Sequence, residues 1–103
     1  MHMAKRLTDV CKRTVFFHVP NGEKRDAVTA GLLKQMGVRP GVADFILLSE
    51  GRAIAAEVKD GDRGRQSKDQ KGFQAAWEAQ GGVYVEIRTA AEVEAFIFGF
   101  GLV

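Results

Sequence analysis

Asp44, Glu57 and Lys59 are the residues in this sequence whose types and spacing could do chemistry together. Glu57 and Lys59 belong to Ala53-Ile54-Ala55-Ala56-Glu57-Val58-Lys59, a run that reads as a β-strand. Strand side chains alternate, so Ile54, Ala56 and Val58 share one face while Ala55, Glu57 and Lys59 share the other. Upstream, Phe45 to Leu48 is a second extended run, and Ser49-Glu50-Gly51-Arg52 between the two is a compact polar turn with a glycine. That pattern predicts a β-hairpin. With the hairpin symmetric about Glu50-Gly51, position 48 pairs with 53, 47 with 54, and 44 with 57. Asp44 then lies across from Glu57.

Directly opposed residues bring their Cβ atoms to about 4.5–5.5 Å, a separation at which two like charges destabilise a sheet. A divalent cation offsets this economically, because Mg²⁺ takes oxygen ligands and is often held by one or two carboxylates plus water and phosphate. The backbone carbonyl of Val58 could add a third protein oxygen. Such a cation could stabilise charge on a phosphodiester oxygen and activate a water for attack on phosphorus. Lys59 could orient that water or neutralise the developing oxyanion. The competing account is an ordinary surface ladder, with Glu57 and Lys59 solvated and Asp44 merely starting a strand.

Several elements must position these residues. Residues 4–13 fit a short basic helix, and Val15-Phe16-Phe17-His18-Val19 fits a strand ended by Pro20-Asn21-Gly22. Asp26 can N-cap a helix running to about Met36, with Gly37 at its left-handed C-cap and Pro40-Gly41 as the turn beyond. Residues 60–66 are polar and glycine-punctuated, hence a loop. Ser67 and Gln70 form an S-x-x-Q capping box, opening a helix with the apolar stripe Phe73, Ala76 and Trp77, stopped by Gly81-Gly82. Gln70 precedes Phe73 by three and Trp77 by seven, which places it on the face that meets the sheet. Trp77 and Phe73 read as core for the same reason. Val83 to Ile87 is a further strand, and Thr89 with Glu92 makes a second capping box before a helix facing inward through Val93, Phe96 and Ile97. The order is αβαββαβα, an α/β fold with a mixed sheet flanked by helices.

Asp44 followed by Glu57-Val58-Lys59 resembles the PD-(D/E)xK nuclease superfamily, with its restriction-endonuclease-like core. Residues 20–25, the segment from Gly37 to Asp44, Glu57-Val58-Lys59 and Ser67-Lys68-Asp69-Gln70 are similar, in this order, to VRR-NUC domains. The resemblance covers about residues 15–97. It implies a nuclease module related to Holliday junction resolvases, with Asp44 and Glu57 as metal ligands for Mg²⁺ or Mn²⁺, Lys59 as the catalytic lysine and Gln70 as the helix glutamine supporting the site. It also implies DNA as substrate, branched DNA included, and a homodimer. Two positions depart from the pattern. Ala43 stands where the superfamily usually has proline, and the glutamate that the family often carries on an N-terminal helix is missing. Asp9 is the one acid in that region. The site therefore has fewer protein ligands, takes one from elsewhere, or is weakened.

Composition sets the frame. A chain of 103 residues is one domain, here residues 4–103, with Met1-His2-Met3 reading as a cloning scar before a natural start at Met3. The net charge of +2 does not announce a nucleic-acid protein. Placement is more informative: Arg63, Arg65 and Lys68 leave the catalytic strand directly, and with Arg25 they are the candidate phosphate contacts. The alternative for such charges is solvated surface. The single cysteine, Cys11, excludes an internal disulfide or a thiolate zinc site, and suits a reducing compartment. No apolar run reaches about 18 residues, so a soluble protein of the cytoplasm or nucleoid, of phage or bacterial origin, is expected rather than a membrane protein. His18 is a half-buried strand histidine, a phosphate contact, a metal ligand or a base. The rivals to a nuclease are a non-cleaving DNA-binding module that partners a helicase or larger nuclease, and a small α/β domain that binds only protein.

Overall fold

The computed structural model describes residues 3–20, 27–59 and 64–102. Within them the order is α1 (Met3–Val10), β1 (Val15–His18), α2 (Ala27–Gln35), β2 (Phe45–Ser49), β3 (Arg52–Val58), α3 (Lys68–Ala79), β4 (Val83–Ile87) and α4 (Ala90–Gly99). The strands form one four-stranded sheet in the order β1-β2-β3-β4. β1 and β2 pair antiparallel, as do β2 and β3, whereas β4 lies parallel to β3 after the crossover through α3. The fold is the expected mixed sheet flanked by helices.

Hairpin register is set at its turn. Glu50 (φ 51°) and Gly51 (φ 77°) both adopt left-handed backbone, the geometry of a two-residue type I′ turn whose twist matches the flanking strands. Ser49 consequently pairs with Arg52, Leu48 with Ala53, Leu47 with Ile54 and Phe45 with Ala56. This is the symmetric register that the sequence predicts.

The sheet has two unlike faces. On one, α1 and α4 bury Leu7, Val93, Phe96 and Ile97 against Leu47, Ile54, Ala56 and Ile87, forming the main core. On the other, α3 covers a smaller cluster of Ala43, Ala55 and Phe73, edged by Val42, Ile46, Trp77 and Tyr84. This second face is incompletely covered: Val15, Phe17 and Leu48 are 66%, 57% and 52% exposed. α2 buries no residue, and its Val28 and Leu32, with Met36 just past its end, form an exposed stripe at intervals of four.

Two helix ends differ from expectation. α1 stops at Val10 rather than 13, because Cys11 is buried in the core and Thr14 closes a turn on its carbonyl (N to O, 3.3 Å), redirecting the chain into β1. At α4, Thr89 caps as predicted by accepting from the Glu92 amide, but the Glu92 carboxylate reaches past it to accept from the Arg88 amide at 2.7 Å. The capping box is therefore not closed reciprocally. At α3 both halves of the box from Ser67 and Gln70 are present. The Asp26 cap lies outside the described residues.

Candidate active site

Asp44 sits at the entry to β2, where the register places it alongside Glu57. Its backbone carbonyl accepts from the Val19 amide at 2.7 Å and lies 2.9 Å from His18 Nδ1, so β1 pins the residue from one side. His18 is exposed and stacks at an angle on Phe45. The Asp44 carboxylate turns toward β3, where Oδ2 accepts from the Val58 amide at 2.8 Å. The contact is made by the Val58 N–H, not by the carbonyl expected as a ligand.

Alternation carries Ala55 and Glu57 to the face that α3 covers, and Glu57 is only 4% exposed. Its Oε1 accepts from Gln70 Nε2 at 3.0 Å. Gln70 Oε1 in turn accepts from Lys59 Nζ and from the Ser67 amide, both at 2.8 Å. Two donors on Oε1 leave Gln70 only one way to face its amide, with the nitrogen toward Glu57. The glutamine that completes the α3 capping box is also the bridge between carboxylate and lysine. Lys59 Nζ stands 3.8 Å from Glu57 Oε1, so the ion pair is loose and relayed by the amide.

Among the described residues Glu57 Oε2 is buried without a hydrogen-bond partner. Burial foremost, then the charge of Asp44, pushes the Glu57 carboxyl up to about 7, against the opposing pull of Lys59. An orphaned carboxylate oxygen beside a second carboxylate is a donor set suited to a hard divalent cation, which fits the expected Mg²⁺ or Mn²⁺. Among the described residues no group of three or more His, Cys, Asp or Glu side chains could hold a metal. Asp9 does not supply the missing acid: it pairs with Lys5 on α1, which packs on the opposite face of the sheet.

A cleft of about 630 Å³ opens over the two carboxylates. One wall is α2 and its exit, with Leu33, Lys34, Val38 and Arg39. The other is the start of α3, with Ser67, Asp69 and Gln70. The walls meet at Gly41 (φ 78°), where a Cβ would fall onto the backbone of Asp69, so only glycine lets the two segments touch.

The predicted phosphate contacts divide. Arg65, on the run between Lys59 and α3, and Lys68, the first residue of α3, are exposed and do not line the cleft, whereas Arg25 and Arg63 lie outside the described residues. Sequence reasoning missed Lys34 and Arg39. The Arg39 guanidinium lies over the Phe73 ring at 5.8 Å, and among the described residues neither cation has a carboxylate partner. The available signal was that Arg39 precedes Asp44 by five residues in the segment that delivers it. Residues 64–66 of the run between Lys59 and α3 are held in place from below. Arg88 donates to the Gly64 carbonyl at 2.7 Å, and Gln66 bonds to Gln74 and Tyr84 at 2.7 and 3.2 Å. A Cβ at Gly64 would come within 2.7 Å of Lys59 Cδ, so this run packs directly on the lysine stem.

Neither a known family model nor a curated protein matches the sequence. The structure is similar to a solved one described as a "VRR_NUC domain protein", with a TM-score of 0.71 and 19% identity over 95% of this chain and 84% of that one. The chain therefore has the fold of a VRR_NUC domain protein, as its sequence motifs lead one to expect.

Proposed function

We propose that this protein is a Mg²⁺- or Mn²⁺-dependent DNA endonuclease, with branched DNA as a preferred substrate. The observation that carries this reading is the unpartnered, buried Oε2 of Glu57 beside Asp44, with Lys59 held on the same side by Gln70. Asp44, Glu57 and the Val58 carbonyl are the residues that would hold the ion. When bound, the ion would neutralise charge on the scissile phosphate and make water a better nucleophile. Lys59 donates toward the phosphate oxygens as negative charge develops there, and Gln70 keeps both Lys59 and Glu57 aimed. Arg65 and Lys68, with Arg25 and Arg63, would hold the flanking DNA backbone.

A homodimer would present two such sites to two strands, and the exposed stripe of Val28, Leu32 and Met36 supports that arrangement. Light scattering should then give twice the 11.3 kDa chain mass, and Leu32→Glu should give a monomer. The protein is expected to work in the cytoplasm or at the nucleoid; no helix of the described residues is long and apolar enough to cross a membrane.

The decisive assay incubates linear duplex and four-way junction DNA with Mg²⁺, Mn²⁺ or EDTA, comparing wild type with Lys59→Ala. Cleavage that needs metal and Lys59 supports the reading. Cleavage in EDTA, or equal rates in the variant, overturns it. That no third carboxylate among the described residues is grouped with Asp44 and Glu57 to hold a metal favours one other reading, a DNA-binding module that does not cut. DNA retarded in a gel but uncut in every divalent metal would select it.

A further inference from the structure

We propose that the cleft seats a single unstacked nucleotide, so that the enzyme acts where a DNA strand is unpaired. The inference rests on reading the cleft floor as a phosphodiesterase site, and adds to it the state of the strand that can reach that floor. Depth comes first. Glu57 is almost wholly buried, so a phosphate reaches it only by entering the cleft. A volume of about 630 Å³ lies in the range of pockets that enclose a molecule of nucleotide size, roughly 300–1,000 Å³. A nucleotide held in a duplex keeps its base in the stack, so only an unpaired one can bring its phosphate to Glu57 and lay its base in this space as well.

The two walls differ in a way that orients the guest. On the α2 side Leu33, Val38 and Pro40 offer apolar surface for the face of a base. Lys34 and Arg39 stand among them, with no carboxylate partner among the described residues, and their charge is available to a phosphate next to the scissile one. The α3 side carries Asp69, whose charge turns a phosphate away. The strand therefore runs along the α2 wall, its base against Leu33 and Val38 and its backbone on Lys34 and Arg39. Arg39 is already stationed over Phe73 on α3, which holds its guanidinium beside the cleft.

Binding tests this without depending on turnover. The full chain is titrated in Ca²⁺ buffer with a fluorescein-labelled single strand, the same sequence as a duplex, and a duplex with a one-nucleotide gap, at several salt concentrations. Single strand and gapped duplex should bind at least about 10-fold more tightly than intact duplex. Lys34→Ala and Arg39→Ala should each weaken them several-fold and flatten the slope of log affinity against log salt by about 0.7, the value for one lost phosphate contact on a single strand. Arg39→Lys should keep the slope. Leu33→Asp should erase the preference for unpaired DNA. A chain that behaves so but never cleaves loses the nuclease reading and keeps this one. Equal affinity for paired and unpaired DNA, or salt slopes unchanged in both alanine variants with unaltered circular dichroism, overturns the proposal, even if the protein cleaves.

Discussion

The same alternation of strand residues builds both faces of the sheet, but the faces are put to opposite uses. Against α1 and α4, β3 presents Ile54, Ala56 and Val58, and the helices close over them with Leu7, Phe96 and Ile97. Against α3, the same strand presents Ala55 and then Glu57, and the helix stops short of sealing the space. Ala55 is small enough for α3 to come close, while Glu57 is left with one oxygen bonded and one bare. The first face supplies stability that the second gives up: two carboxylates side by side, one deeply buried, are an arrangement that packing alone would not retain. Substitutions on the two faces should accordingly separate folding from chemistry.

The largest expected effect is on the chemical face. Lys59→Ala should lower kcat by about 10²–10³-fold, the usual loss when a donor to developing negative charge is removed, with little change in melting temperature. Steady-state cleavage beside a thermal melt measures both. Ile54→Ala on the closed face should show the reverse, a loss of about 2–5 kcal/mol in denaturant unfolding with cleavage per folded molecule retained. If Ile54→Ala lost activity while still folded, the two faces would not be separable.

A third comparison uses pH. The Glu57 carboxyl has an ordinary value near 4.5 in the unfolded chain and about 7 in the fold, so the native state holds the extra proton between those values. Its contribution to stability is full below about 4.5 and is lost as pH rises through about 7, a fall of as much as ~3 kcal/mol. Metal-free urea melts at pH 5.5 and 8 should show this decline, and Glu57→Gln, which cannot ionise, should flatten it. Mn²⁺ should raise the melting temperature more at pH 8 than at pH 5.5, since it competes with that proton. The smallest effect belongs to Gln70→Ala. Removing the bridge and half of the capping box should cost about 1 kcal/mol, and should lower kcat more than it alters KM. Gln70→Glu, which keeps the cap oxygen but replaces the donor to Glu57 with a third carboxylate, should recover neither stability nor kcat.

What could be read from the sequence was what local rules control. The hairpin register followed from a two-residue turn, and it brought Asp44 beside Glu57 without reference to any relative. Ser67 and Gln70 declared the start of α3, and the spacing of Gln70 from Phe73 and Trp77 aimed it at the sheet. The far wall of the cleft was beyond such rules. α2 carries apolar side chains without burying any, so no amphipathic pattern tied it to the site, and the approach of its exit to α3 is a tertiary contact made at Gly41. No local pattern singles out Lys34 and Arg39; the tertiary contact is what sets them along the cleft with the carboxylates. The same distance between local pattern and tertiary setting hid the relay through Gln70. The spacing could aim its side chain at the sheet, but not show that one amide oxygen would serve both Ser67 and Lys59.

The pair of carboxylates is the centre of this account, and a crystal soaked in Mn²⁺ tests it most directly. An anomalous peak should appear within about 2.0–2.3 Å of Glu57 Oε2 and an Asp44 carboxylate oxygen, and should vanish in Glu57→Gln. A soaked crystal with no peak between these residues, or with its manganese bound elsewhere and Glu57 Oε2 still unligated, would contradict it.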